Sequence, residues 1–199
     1  MNFLAHAFLA HGNTEVMVGS MMGDFVKGPL VNHYSPAITQ GLTLHRRVDT
    51  FTDAHALVAR SRSRISAARR RYAGILIDLF YDHYLASNWR DYSAMPLNEF
   101  TTSVYAALLQ RIHELPERLQ NIAPHMARMD WLGSYREADA VGEALDRIGN
   151  RLTRGNALLG SVAELKVNYA GLQEDFRMFF PEVIRFAREH LAATVPNPS

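Results

Sequence analysis

Residues 73–86, with the sequence AGILIDLFYDHYLA, are almost entirely apolar. Apart from Asp78, Asp82 and His83, every residue in this stretch is apolar, aromatic or glycine. A helix that is hydrophobic nearly all round is buried on every side, so we expect a central helix. Asp78 and Asp82 share one face, where like charges repel. These polar groups therefore require a metal ion, arginine partners or a proton, and the stretch alone leaves all three open.

A second set of polar residues lies on the helix that Ser35 and Pro36 are predicted to start. One face of this helix changes from apolar to ligand-type side chains, because residues recur at three- or four-residue spacing in the order Ile38, Leu42, His45, Asp49 and Asp53. A solvated face or a local ion pair would explain the same pattern. The apolar neighbours Leu44, Val48 and Phe51 leave little of this helix exposed, which favours a buried site.

Two further candidates lie near the N-terminus. His6 falls on a short apolar helix predicted over residues 2–11, where a single histidine is more often a core residue than a ligand. Asp24 follows Gly23 on a loop, and it could equally cap a turn. Neither residue alone indicates a functional site, and each is a candidate only if it lies near the other Asp and His residues.

The rest of the chain is helical in pattern, without alternating strand runs. At 199 residues and 48% hydrophobic composition, we expect one all-α domain, a helical bundle over residues 1–190, with a frayed tail at 191–199. Pro124 should kink or split a helix over 117–131. Pro181 should end a C-terminal helix that starts near residue 156.

Composition excludes several classes of function. The chain has no cysteine, so it has no thiolate nucleophile and no Cys-ligated zinc, which is compatible with a cytoplasmic location. No apolar run is long enough to span a membrane, and we expect no membrane partner. The net charge of +1 argues against nucleic acid as a partner.

The charge is nevertheless uneven. No acidic residue occurs between Asp53 and Asp78, whereas this interval contains Arg60, Arg62, Arg64, Arg69, Arg70 and Arg71. Such a stretch is a solvated basic helix, a nucleic-acid contact or a docking surface for an acidic partner.

The candidate ligands narrow the chemistry. Mixed Asp and His ligation without sulfur suits Mn, Fe, Mg or Zn, and a carboxylate-rich set favours Mn or Mg. The sequence contains no nucleophile elbow, P-loop or dinucleotide fingerprint. Hydrolysis by metal-activated water is the chemistry that remains.

Taken together, several segments resemble the acyl carrier protein phosphodiesterases. The matching stretches are MNFLAHAFLA (1–10), GDFVKG (23–28), LHRRVDTFTDAH (44–55), SRSRI (61–65) and RRRYAGILIDLFYDHYLASNW (69–89). Farther along the chain, LPERL (115–119), DWLGSY (130–135) and NYAGLQEDFRMFFPEV (168–183) are similar too. The resemblance therefore covers nearly the whole chain.

This resemblance implies an all-α fold distantly related to the HD-domain phosphohydrolases, although the adjacent pair here is Asp82-His83 rather than His-Asp. It also implies hydrolysis of the phosphodiester that joins phosphopantetheine to a serine of holo-acyl carrier protein, with Mn²⁺ favoured over Mg²⁺ or another divalent metal. The implied metal ligands are Asp24, His45, Asp82 and His83. The implied catalytic residues, as further ligands or proton carriers, are His6, Asp49 and Asp53.

Acyl carrier proteins are small and acidic, so the resemblance makes the arginines from Arg60 to Arg71 the expected docking surface. Two alternatives stay open. One is an HD-like phosphohydrolase that acts on a nucleotide or another small phosphodiester. The other is a non-enzymatic helical binding module in which the buried Asp and His residues only pair with arginines.

Overall fold

The computed structural model describes residues 1–30, 33–152 and 157–193. These residues form α-helices and short 3-10 helices without any β-strand, which confirms the all-α prediction. The α-helices are α1 (Phe3–Leu9), α2 (Thr14–Met22), α3 (Pro36–Ala54), α4 (Ala56–Arg64), α5 (Ala73–Ser87), α6 (Leu97–Gln110), α7 (Glu117–Arg128), α8 (Trp131–Ser134), α9 (Ala138–Gly149) and α10 (Val162–Ala193). The 3-10 helices are Ala67–Tyr72, Trp89–Asp91 and Ile112–Glu114.

Helix α5 is the central helix, as its composition predicts. It is buried along most of its length, and helices α1, α4, α9 and α10 all pack against it. Its fully buried side chains include Leu76, Ile77, Phe80 and Leu85. The bundle thus surrounds the segment that carries Asp82 and His83.

Helices α2 and α3 pack with their backbones in close contact, and this contact positions the candidate site. A Cβ atom on Gly19 would lie 2.1 Å from the carbonyl oxygen of Ile38, and one on Gly41 would lie 2.0 Å from that of Val16. Only glycine allows so short a separation. The predicted start of α3 is confirmed, since the Ser35 side chain accepts a hydrogen bond from the Ile38 N–H.

Two predicted helices are interrupted. The arginine-rich segment does not continue as one helix, because α4 ends at Arg64 and Ile65 takes an extended conformation before the 3-10 helix begins. Between α7 and α8, Asp130 adopts a left-handed conformation with φ of 43°. That conformation ends the predicted 117–131 helix early.

The predictions for the two prolines were wrong in part. Helix α7 continues through Pro124 to Arg128 without being split, and α10 continues through Pro181 to Ala193. A proline inside a helix costs about 3 kcal/mol. Burial of apolar side chains on both sides of Pro181, among them Phe179, Phe180 and Val183, offsets this cost.

The ends of the chain's last helix differ from the sequence-based expectation. Its predicted start near residue 156 lies outside the described residues, and Leu191–Ala193 of the predicted tail belong to α10. Residues 194–199 of that tail also lie outside the described part. Within the described ranges, no helix combines the length and apolarity needed to cross a bilayer.

Candidate metal centre and adjoining cavities

Three ligand-type side chains converge where α1 meets α3. His6, His45 and Asp49 each offer an atom, and these atoms all lie within 4.8 Å of one another. His6 Nε2 lies 3.1 Å from Asp49 Oδ1, and His45 Nε2 lies 3.2 Å from Asp49 Oδ2. The two imidazole rings stack with centroids 3.8 Å apart. The Asp49 carboxylate therefore joins two histidines from different helices.

Asp24 adds a second carboxylate from the loop after α2. Its Oδ1 lies 3.7 Å from His45 Nε2. The loop is held against α3, because the Arg46 guanidinium donates a hydrogen bond to the Val26 carbonyl. We call His6, Asp24, His45 and Asp49 the His–Asp cluster.

The backbone of α2 fixes the orientation of His45. The Nδ1–H of His45 donates to the Ser20 carbonyl over 2.8 Å, which directs Nε2 toward the two carboxylates. Gly23 leaves room for the ring, since a Cβ atom there would lie 2.1 Å from His45 Cγ. Gly23 has ordinary helical dihedrals, so it is required for space and not for backbone conformation.

Burial, hydrogen bonds and neighbouring charges shift the pKa values of His45, His6 and Asp49. Burial lowers the pKa of His45, but hydrogen bonds to Asp24 and Asp49 outweigh it and raise that pKa to about 9. Burial and the nearby charge of His45 lower the pKa of His6 to about 4, so His6 is neutral at pH 7. Burial raises the pKa of Asp49, yet hydrogen bonds from both histidines bring it well below its usual range.

These residues fit a divalent cation, which would take the place of the His45 proton beside the two carboxylates. Imidazole and carboxylate are the donors that Mn²⁺, Fe²⁺ and Zn²⁺ accept. His6 Nδ1 is buried and has no hydrogen-bond partner among the residues described. An unpaired buried nitrogen is costly, so it marks His6 as a side chain retained for a purpose other than stability.

The N-terminal ammonium of Met1 lies beside the cluster. It donates to Asp78 Oδ1 over 2.9 Å and lies 3.6 Å from Asp49 Oδ1. This group could not be predicted from the sequence, because no local pattern links residue 1 to residues 49 and 78.

Asp82, a predicted metal ligand, instead caps helix α1. Its two carboxylate oxygens accept the backbone N–H groups of Leu4 and Ala5 over 2.8 and 3.1 Å. The helix has no side-chain cap of its own at Asn2. Burial raises the pKa of Asp82 to about 7, against the opposing effect of these two hydrogen bonds. Because both oxygens are engaged by backbone, we leave Asp82 out of the ligand set proposed below.

His83 is also engaged elsewhere. Its Nδ1 bonds with the Tyr135 carbonyl over 2.8 Å, and its Nε2 lies 3.1 Å from the Tyr169 hydroxyl. Both ring nitrogens therefore have protein partners from α10 and the segment after α8. The sequence does not distinguish His83 from a metal ligand, because a structural histidine and a metal-binding one can both be buried next to an aspartate.

Asp53 lies at the surface near the cluster and pairs with Arg62. Most of the other predicted docking arginines also have partners within the protein. Arg60 and Arg64 both donate to the buried Asp175, while Arg69 donates to Glu164 and Arg70 to the Ile65 carbonyl. Arg71 lies over the ring of its neighbour Tyr72.

Two cavities adjoin the cluster. The first, of about 310 Å³, is lined by Asp24, Asp49, Asp53 and Asp78, and we call it the acidic cavity. The second, of about 350 Å³, has mainly apolar walls, and we call it the apolar cavity. They share the lining residues Asn2, Asp24, Leu79 and Ile148, so they lie side by side.

The walls of the apolar cavity could not be predicted from the sequence. They come from five helices and the loop after α2, and they include Phe3, Phe25, Leu79, Ile122, Trp131 and Ile148. Apolar residues in amphipathic helices look like ordinary core, so no sequence signal distinguishes them.

The chain is similar to known proteins along nearly its whole length. A sequence model of the acyl carrier protein phosphodiesterase family matches residues 1–183. The acyl carrier protein phosphodiesterase of Serratia proteamaculans (strain 568) is 34% identical over 190 residues, which cover 95% of this chain and 98% of that protein. The enzymes of the same name from Salmonella agona (strain SL483) and Salmonella newport (strain SL254) are each 34% identical over 185 residues, or 92% of this chain and 96% of theirs. No solved structure matches at a comparable significance. The chain belongs to the acyl carrier protein phosphodiesterase family.

Proposed function

We propose that this protein hydrolyses the phosphodiester between phosphopantetheine and a serine of holo-acyl carrier protein, which yields the apo-protein and free phosphopantetheine. One observation carries the proposal: His6, His45 and Asp49 converge beside an acidic cavity in a member of this family. The acyl carrier protein is the proposed partner, and a cytoplasmic location is part of the same proposal.

We propose that His6, His45 and Asp49, with Asp24 beside them, hold a divalent metal ion, with Mn²⁺ favoured and Mg²⁺ the alternative. The charge of the cavity supports a cation, because four aspartates line it and the Met1 ammonium, His45 and Arg62 compensate them only in part. When bound, such an ion polarises a phosphoryl oxygen and lowers the pKa of water.

The remaining roles follow from the contacts of the protein's own residues. Asp49 holds the two imidazoles in one arrangement, and Ser20 keeps the His45 ring directed at the cluster. Asp53 lines the same cavity and is more than half exposed, so we propose it as the group that exchanges a proton with solvent.

The test is to incubate the purified protein with holo-acyl carrier protein and Mn²⁺ and to measure the mass of the carrier. We expect the mass to fall by that of phosphopantetheine, and we expect a chelator to prevent this. Asp49→Asn should abolish cleavage and weaken Mn²⁺ binding about 100-fold or more, since it removes a charged ligand. The control Asp91→Asn makes the same change at an exposed aspartate that lines neither cavity, and should behave as wild type.

Two other outcomes would replace the proposal. An unchanged carrier mass with stoichiometric Mn²⁺ bound would indicate a phosphohydrolase for a small phosphodiester. An unchanged mass with no metal bound would indicate a helical binding module.

A further inference from the structure

The apolar cavity carries an arginine rim that the proposed chemistry does not use. Arg118 on α7, Arg147 on α9 and Arg151 just after α9 all line this cavity. All three side chains are exposed to solvent. They meet in space although α7 and α9 are separate in sequence, so the rim is a product of the fold.

The rim is held in place by aromatic residues. The Arg118 guanidinium lies 5.8 Å from the centroid of the Phe25 ring, and the Arg147 guanidinium lies 5.4 Å from that of Trp131. Contacts of this kind orient a guanidinium without neutralising its charge.

The rim is also poor in compensating acids. Arg147 has one carboxylate neighbour, Glu143 at 3.7 Å. Arg118 and Arg151 form no ion pair with any residue that the structure describes. Positive charge is thus available for a partner at the mouth of the apolar cavity.

The arginine-rich segment from Arg60 to Arg71 differs in this respect. Its arginines Arg60, Arg62, Arg64 and Arg69 pair with Asp53, Glu164 and Asp175. The pairs of Arg60, Arg64 and Arg69 join α4 and the following 3-10 helix to α10, and the Arg62–Asp53 pair joins α4 to α3, so they stabilise the bundle. Four of its arginines share three carboxylates, and Arg70 and Arg71 are exposed, so the segment keeps a surplus of positive charge. None of its arginines, however, lines the apolar cavity or the acidic cavity.

We propose that the acidic surface of the acyl carrier protein docks on the rim formed by Arg118, Arg147 and Arg151, and not on the Arg60–Arg71 segment. The inference rests on the proposed function, which supplies an acidic partner. The charge of the rim complements that of the carrier, and its position favours it over the segment, because the cavity that it borders shares Asp24 with the acidic cavity. A carrier seated on the rim has its phosphodiester beside the His–Asp cluster.

The test compares three double charge reversals in the full-length protein: Arg118→Glu with Arg151→Glu, Arg70→Glu with Arg71→Glu, and Arg185→Glu with Arg188→Glu as a control on exposed positions of α10. Binding of labelled holo-acyl carrier protein is measured in chelator, so that cleavage does not consume it. KM, kcat and Mn²⁺ affinity are measured separately.

We expect the rim variant to raise Kd and KM about tenfold or more at low ionic strength, with kcat and Mn²⁺ affinity within about twofold of wild type. The difference should shrink at about 0.5 M salt, where the Debye length is short. The α10 control should match wild type. Equal binding by the rim variant, a larger effect from the Arg70–Arg71 variant, or no binding of the carrier by wild type would each overturn the docking proposal.

The two proposals fail in different ways. Cleavage by wild type with no effect of the rim variant leaves the phosphodiesterase function intact and removes the docking site. Carrier binding that the rim variant weakens, without cleavage under any condition, supports the docking site and removes the function.

Discussion

Removal of the Asp82 carboxylate tests whether this residue stabilises the fold or holds the metal. Its oxygens accept the N–H groups of Leu4 and Ala5 from the first turn of α1, and Asp82 itself is fully buried. The Asn2 side chain makes no capping hydrogen bond that could replace them. Asp82→Ala therefore leaves two buried donors without an acceptor.

The size of the effect follows from these two hydrogen bonds. Each buried N–H left unpaired costs about 1–2 kcal/mol, so Asp82→Ala should lower the free energy of unfolding by about 2–4 kcal/mol. In a protein of this length that loss corresponds to a fall in Tm of about 4–16 °C. Asp82→Asn keeps one oxygen acceptor and should cost about half as much.

The assay combines thermal unfolding, followed by circular dichroism, with Mn²⁺ binding, followed by electron paramagnetic resonance of the free ion. We expect Tm to fall in the order wild type, Asn variant, Ala variant, while the Asn variant still binds Mn²⁺ within about threefold of wild type. The reasoning is refuted if Asp82→Asn leaves Tm unchanged and abolishes Mn²⁺ binding, because Asp82 would then be a ligand and not a cap.

Two further predictions concern packing and pH. Gly23→Ala should displace the His45 ring and weaken Mn²⁺ binding about tenfold or more. The control is Gly74→Ala, whose Cβ atom would have no neighbouring atom closer than 3.9 Å. It should leave Mn²⁺ binding unchanged in the same titration. Asp175→Asn should cost about 2–4 kcal/mol at pH 7, because it removes the buried negative charge and one of the two acceptor oxygens that bind Arg60 and Arg64. Burial raises the pKa of Asp175, but its hydrogen bonds with arginine and serine bring it below the ordinary value of 3.8. Its contribution is therefore complete above that value and lost as pH falls through the lower folded pKa. Urea unfolding should accordingly show a smaller difference from wild type near pH 2 than at pH 7, and an equal difference at both would contradict this account.

Much of the bundle could be predicted because its signals are local. The composition of residues 73–86 predicted the central helix α5, and Ser35 with Pro36 predicted the start of α3. Such signals depend on neighbours within one or two helical turns. The proline predictions failed for the same reason, since packing of α10 along the bundle outweighs the local cost of Pro181.

The candidate site could be predicted only in part. The spacing of His45 and Asp49 placed both on one face of α3, and the structure brings His6 and Asp24 to that face. The pattern could not assign Asp82, because a buried carboxylate that binds a metal and one that caps a helix look alike in sequence. Nor could it show that Asp175 pairs with arginines of α4 more than 100 positions away.

An all-α fold with Asp and His residues on buried helix faces follows from the order of residues along the chain, because hydrophobic periodicity depends on a few neighbouring positions. Which of those residues meet depends on how the helices pack together. His6 reaches Asp49 across 43 positions, Asp82 reaches α1 across 77 and 78, and the rim arginines come together from α7 and α9. The partner of a buried charge depends on how whole helices pack against one another, and a local sequence pattern carries no information on that packing.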